Sequence, residues 1–468
     1  MPQWRAPAAV RFLVAGLIAV AASGPLAAGQ AHARTEVLPG VATEQLQPGY
    51  WIERLGDAHR RILDPAGIEA HNARMRASEP SLFDLERLPD TLDAAQVRTF
   101  IGRASPRPRA ALFDAGGRPL TARALDRLER AMDLGAVPAS QPSRYGMVVR
   151  RADLRTFPDA MPVFSAPGAL DIDRFQETAL FPGTPVAVIH RSRDRRWLFV
   201  LSETYSGWIE AEAVATGGKA EVLEYGRRAP FVVVTGAQVR TVHTPERPAV
   251  SDVVLDMGVR LPLADLPRDT PVNGQHPAFG HAVELPVRDA DGSLTFDPAL
   301  IPRSADVSYG HLPLTPAGLI SQAFKFLGER YGWGHRYDAR DCSGFVSEIY
   351  RSFGLLMPRN TSAQARSPGL DGVALDGPTG RDQRLALLRD ASVGDLVYIP
   401  GHVMMVIGRV DGETYVIHDT AGVSLLDADG RLRRYPLNGV AVTPLLPLMA
   451  DESTPTVDRI TSIRRLRP

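Results

Sequence analysis

The chain has 468 residues, room for three or four domains at ~100–150 residues each, and 44% of it is hydrophobic, enough for buried cores but too little for a multi-span membrane protein. Basic and acidic residues balance at 53 each, which argues against nucleic acid as the main partner, since that calls for a basic excess. Cys342 is the only cysteine, so no intramolecular disulfide can form.

At the N-terminus, Arg5 and Arg11 flank the start of an apolar run over residues 12–20, and Ala31-His32-Ala33 has the small-x-small form of a cleavage site. Residues 1–33 therefore read as a secretory signal, because the run is too short to cross ~30 Å of hydrocarbon. An uncleaved anchor is the alternative. The mature chain is expected outside the cytoplasm, periplasmic or extracellular, with no stable membrane insertion after cleavage. An exported chain that keeps one unpaired thiol has reason to use it.

Residues 34–141 are polar with helical spacing; Leu125, Leu128, Met132 and Leu134 give one apolar stripe. This segment is read as a helical accessory domain. Over 142–216 the texture changes to short β-rich runs, such as Pro185 to Ile189 and Trp197 to Leu201, broken by turn signals, which predicts a small barrel. Residues 217–303 repeat that texture in a more divergent form. His276 and His281 fall in loops there with no spaced ligand set around them, and are read as solvated. Residues 304–450 alternate helix and strand, and the polar tail 451–468 is expected to be extended.

Within the α/β segment, Asp341 stands where a helix N-cap would. Phe345, Val346, Ile349, Tyr350 and Phe353 recur at helical spacing, and Gly354 follows as a stop. Cys342 thus falls in the first turn of a buried helix, where unpaired N–H groups favour a thiolate. The plainer alternative is a small buried hydrophobe. Downstream, His402 opens one apolar strand and His418 lies on the next. A thiol at a helix start with imidazoles on an adjacent sheet is the grouping that thiol-nucleophile chemistry needs. The spacing of the two histidines sets a condition on the hairpin. A plain two-residue turn at Asp411-Gly412 would put them on opposite faces, so an odd-length loop or a bulge is expected.

These motifs resemble, in order, those of the NlpC-type cell-wall cysteine peptidases: Asp341-Cys342-Ser343-Gly344-Phe345, the stretch from Met357 to Gln364, Val393 to Ile399, His402 to Gly408, and Val416-Ile417-His418. The helical segment and two SH3-like barrels ahead of them resemble the multidomain branch of that family. The resemblance implies a multidomain protein, with a papain-like α+β catalytic domain behind two small SH3-like β-barrels and an N-terminal helical segment. It implies Cys342 as nucleophile, His402 as base, His418 as its orienting partner and Tyr331 near the oxyanion. It places Asp341, Ser343, Arg359, Thr361 and Ser362 along the substrate groove. Glu177 and Tyr205 of the first barrel would receive a free N-terminal amine. It implies no metal or organic cofactor, and peptidoglycan-derived peptides as substrate, cut at the γ-D-glutamyl–diamino acid bond. One departure stands out: where the family often has two glycines after the Trp, Gly334 is followed by His335. An amidase or acyltransferase on the same machinery, and a non-catalytic wall-binding scaffold, are the rival readings.

Overall fold

The computed structural model describes residues 36–267, 269–375 and 379–466, so the signal segment assigned to 1–33 lies outside the described residues. No helix among the described residues is long and apolar enough to cross a membrane.

The first barrel is a seven-stranded antiparallel sheet in the order Val214–Gly217, Arg144–Val148, Pro185–Arg191, Trp197–Leu201, Ser206–Glu210, Ala152–Arg155, Gln176–Leu180. All five residues of Trp197–Leu201 are buried because both faces of the strand are covered. Trp197, Phe199 and Leu201 pack with Val97, Ile101 and Leu128 from two helices, while Leu198 and Val200 fill the other core. A strand covered on both faces reads as a continuous apolar run. Gln176–Leu180 is the sheet edge, and its free side meets the C-terminal domain.

The second barrel is built from smaller pieces. Phe231–Val234 lies between Arg260–Pro262 and Val307–Tyr309, with a long hairpin Gly280–Arg288/Leu294–Pro302 beside it. His281 is buried there, 6% exposed, with its Nδ1 3.0 Å from the Tyr309 hydroxyl, so it is not the solvated side chain its loop-like context predicted.

In the C-terminal domain the helix Cys342–Ser352 packs on a six-stranded antiparallel sheet. The sheet order is Asp371–Ala374, Ser462–Arg465, Leu396–Ile399, His402–Val410, Glu413–Leu426, Leu432–Pro444. Asp341 caps the helix, its side chain accepting the Gly344 N–H at 2.8 Å.

The polar tail is extended, but as a strand inside the sheet: Ser462–Arg465 pairs with strands on both sides, and Ile460 and Ile463 are fully buried. One expectation is corrected: the helical segment is not one domain. Trp51 and Met75 join the core around the Cys342 helix, whereas Leu92 to Met132 join the core of the first barrel. Its apolar stripes pack on two different neighbours.

Candidate active site

Cys342 sits in the first turn of its helix, 5% exposed, with Sγ 3.5 Å from Thr361 Oγ1 and facing the backbone N–H of Val403. His402, the residue before Val403, opens the adjacent strand. Its Nε2 lies 2.7 Å from Nδ1 of His418, whose Nε2 is 3.1 Å from Thr443 Oγ1. Two tautomer sets satisfy these contacts, since the Thr443 hydroxyl can donate or accept; in the one where His402 donates from Nε2 to His418 Nδ1 and His418 donates from Nε2 to Thr443, His402 Nδ1 is bare and able to accept a proton.

The hairpin meets the condition the sequence set. Its turn is the two-residue Asp411-Gly412, both at positive φ (53° and 84°). A register shift between Val406 and Gly408 then inserts one extra residue, and beyond it Met405 pairs with Ile417. The bulge at Ile407 returns His402 and His418 to one face of the sheet.

The electrostatics correct the expected thiolate. Burial, and then the carboxylate of Asp341, push the Cys342 thiol up to about 12. Burial alone takes the His402 imidazole down to about 4, and His418 is lowered well below its ordinary value by burial and by its neighbour His402. Thiol and imidazole are therefore both neutral near pH 7, and the helix end does not overcome desolvation. Tyr331 is half-buried; its phenol is raised by burial, then by Cys342, Asp341 and Asp419, the groups it stands beside.

Asp341 and Arg359 were expected to line a groove, but their bonding is spent on the protein. Arg359 donates from Nε to Thr178 Oγ1 (2.7 Å), from Nη1 to Asp341 Oδ1 (3.1 Å) and Ser343 Oγ (2.9 Å), and from Nη2 to Asp341 Oδ2 (2.7 Å) and His335 Nδ1 (2.9 Å). That uses all five guanidinium N–H groups. Asp341 also accepts the N–H groups of Gly334 and Gly344 and the Ser343 hydroxyl. Burial alone would raise its carboxyl, yet Arg359 holds it well below the usual range. These three residues brace the turn that carries Cys342. Thr361 touches the thiol, and Ser362 faces solvent.

The first barrel reaches this turn through its edge strand. Gln176 Nε2 donates to Gly334 O (2.9 Å), and Trp333 Nε1 donates to Gln176 O (3.1 Å). Gly334 has no room for a side chain, since a Cβ would lie 2.9 Å from Gln176 Cγ and 3.1 Å from the backbone of Glu177. Glu177 lies between these contacts and Thr178, accepting the hydroxyls of Thr156 (2.7 Å) and Tyr205 (2.5 Å). Tyr205 is raised by burial and then by Glu177, and Asn360 and Arg359 stand close enough to act on it. The structure thus brings Glu177 and Tyr205 to the segment that holds Arg359 and Thr361.

Two residues near the thiol escaped the sequence reading. Thr443 carried no signal, because only the pairing of His418 with the last strand places it. Asp419 follows His418 directly, is fully buried, and neither carboxylate oxygen has a hydrogen-bond partner. Burial, then Asp341 and Glu329, raise it to about 9, against the pull of Arg340.

A capped helix start bearing a lone thiol, laid against an antiparallel sheet that presents two bonded histidines, defines the papain-like class of thiol-nucleophile folds. Residues 328–438 match the NlpC/P60 family model, and residues 162–210 match the SH3 domain model of the SH3b1 type. The chain carries an NlpC/P60 domain preceded by an SH3b domain. Among curated proteins it is 29% identical over 218 residues to a gamma-D-glutamyl-L-lysine dipeptidyl-peptidase of Bacillus cereus. That match takes in 43% of this chain and 56% of the relative, so the chain spans little more than half the length of that protein. Among solved structures, an NlpC/P60 endopeptidase from Photobacterium damselae subsp. piscicida superimposes with a TM-score of 0.68 over 89% of this chain and 95% of that one. At 18% identity, what the two share is the fold.

Proposed function

We propose that the protein is an exported cysteine endopeptidase that hydrolyses peptidoglycan stem peptides, at the γ-D-glutamyl–diamino acid bond of free muropeptides. The observation that carries this reading is the pairing of His402 Nε2 with His418 Nδ1, 2.7 Å apart, at the start of the strand whose Val403 N–H faces the Cys342 thiol. With His402 donating from Nε2, one imidazole nitrogen is left in reserve for the proton that a thiol must lose.

The steps follow from that tautomer. His402 Nδ1 takes the proton as Cys342 Sγ attacks the γ-carbonyl carbon, so charge appears only as the bond forms. The Cys342 backbone N–H and the Tyr331 hydroxyl serve the oxyanion. Collapse breaks the C–N bond, and the leaving amine takes the proton from His402. Water, deprotonated by the same nitrogen, then hydrolyses the thioester and frees the γ-carboxylate. His418, held by Thr443, keeps the imidazole in the working tautomer throughout. Glu177 and Tyr205 receive the ammonium of an N-terminal alanine, which restricts the enzyme to stems already released from the glycan.

Incubation with defined muropeptides, and identification of the cut bond by mass, tests the assignment. Release of the diamino acid part from L-Ala-γ-D-Glu-diamino acid is the expected result. Products that incorporate an added amine in preference to water would turn the reading to an acyltransferase, and an intact substrate would remove the peptidase reading.

A further inference from the structure

His335 occupies a backbone position made for glycine. Its φ is 63°, in the left-handed region where a side chain brings strain and glycine does not. The ring held there is bonded on every side. It is 3% exposed. Nδ1 accepts from Arg359 Nη2 at 2.9 Å and lies 3.3 Å from Thr178 Oγ1 on the barrel's edge strand. The other nitrogen, Nε2, donates to Glu348 Oε1 at 3.0 Å, and the ring meets Phe181 edge-on at 5.5 Å between centroids.

The neighbours are shaped for this ring. A Cβ on Gly344, two residues after Cys342, would fall 2.7 Å from His335 Cε1, so the first turn of the nucleophile helix leaves space for the imidazole. Glu348 gives its second oxygen to Arg340 Nε at 2.9 Å, and Arg340 bonds Asp256 of the second barrel at 2.7 Å. Burial first, then the positive charge of Arg359, keep the imidazole well below its ordinary pKa. It stays neutral, and a neutral ring is what the bonding requires: Nδ1 must be bare to accept from a guanidinium.

We propose that His335 is a positioning residue that locks the first barrel to the turn carrying Cys342, by holding Arg359 between Thr178 and Asp341. Without the ring, Arg359 loses one of its acceptors. The cavity of about 340 Å³ that His335, Arg359, Thr178 and Glu348 border would then grow. The edge strand that carries Glu177 would keep its Gln176 bonds to Gly334 and Trp333 but lose the brace through Thr178 and Arg359, and its seat on the groove would loosen.

The test compares His335→Gly, which relieves the backbone, with His335→Gln, whose amide can both accept from Arg359 and donate to Glu348. Thr178→Val, nearly isosteric, breaks the same link from the barrel side. Amide hydrogen exchange is read over 176–180 and 341–345, together with KM and kcat on a free L-Ala-γ-D-Glu-diamino acid peptide. His335→Gly and Thr178→Val are each expected to raise exchange in both segments at least tenfold. Each should also raise KM at least tenfold with kcat within threefold, and His335→Gln should hold both near wild type. A folded His335→Gly with wild-type exchange overturns the proposal. If that variant does not fold, wild-type exchange in Thr178→Val overturns it, and raised exchange there sustains it. The KM arm rests on the function proposed above and the exchange arm does not. A protein that cuts no muropeptide yet shows the exchange pattern would refute the peptidase reading and leave His335 in its role.

Discussion

Replacing Glu177 by Gln tests substrate selection at the point where the barrel meets the groove. The Glu177 carboxylate already accepts two hydroxyls, from Thr156 at 2.7 Å and Tyr205 at 2.5 Å. A substrate ammonium would be its third partner and its only cationic one. Glutamine keeps an acceptor oxygen for one hydroxyl but removes the charge. Losing one side of a desolvated charged hydrogen bond costs ~2–5 kcal/mol, against ~1 or less for an exposed pair. Glu177 is half-buried, so the lower end of the first range applies. About 2 kcal/mol is roughly thirtyfold in kcat/KM. The assay compares a free L-Ala-γ-D-Glu-diamino acid peptide with its N-acetylated twin, which has no ammonium. Wild type should prefer the free peptide, and Glu177→Gln should lose about thirtyfold on it while leaving the acetylated rate unchanged. Equal cleavage of the two peptides by wild type would refute the reasoning, and Glu177 and Tyr205 would drop out of the site.

Four other outcomes are expected. Cys342→Ala and His402→Ala should each abolish turnover with melting temperatures close to wild type. His418→Asn should lose far less, because an amide can accept from His402 and still donate to Thr443; equal losses at the two histidines would mean that the roles are misassigned or that His418 does more than orient. The acid limb of kcat/KM should lie below the ordinary imidazole value of 6.5, since burial takes His402 down to about 4 and the neutral base survives to lower pH; a limb at 6.5 or above contradicts the buried pair. Asp419→Asn should stabilise the free protein, more at pH 8 than at pH 5. The Asp419 carboxyl is raised from 3.8 to about 9, so between those values the folded state binds the proton that the unfolded chain has released, and stability falls as pH rises. Parallel melting-temperature curves for wild type and variant from pH 5 to 8 would exclude that account.

What the sequence determined by itself was local. An N-cap aspartate and a helical apolar stripe need only neighbours in the chain, so the Cys342 helix was legible, and so were the strands that carry His402 and His418. Parity also required an odd-length loop or a bulge in that hairpin, because side chains alternate along a strand whatever surrounds it, and the fold took the bulge. The tertiary structure decided the rest. The polar tail gave no apolar alternation strong enough to mark Ser462–Arg465, which is a strand because two open sheet edges supply its hydrogen bonds. Arg359 and Asp341 read as groove residues until the fold closed every one of Arg359's N–H groups on the protein. The charge state of Cys342 turned on depth: a helix end favours a thiolate, but burial beside Asp341 favours the thiol by more. Asp419 and Thr443 had no signature at all, because a residue's distance to a thiol across a sheet is set by pairing register, which a one-dimensional pattern does not contain.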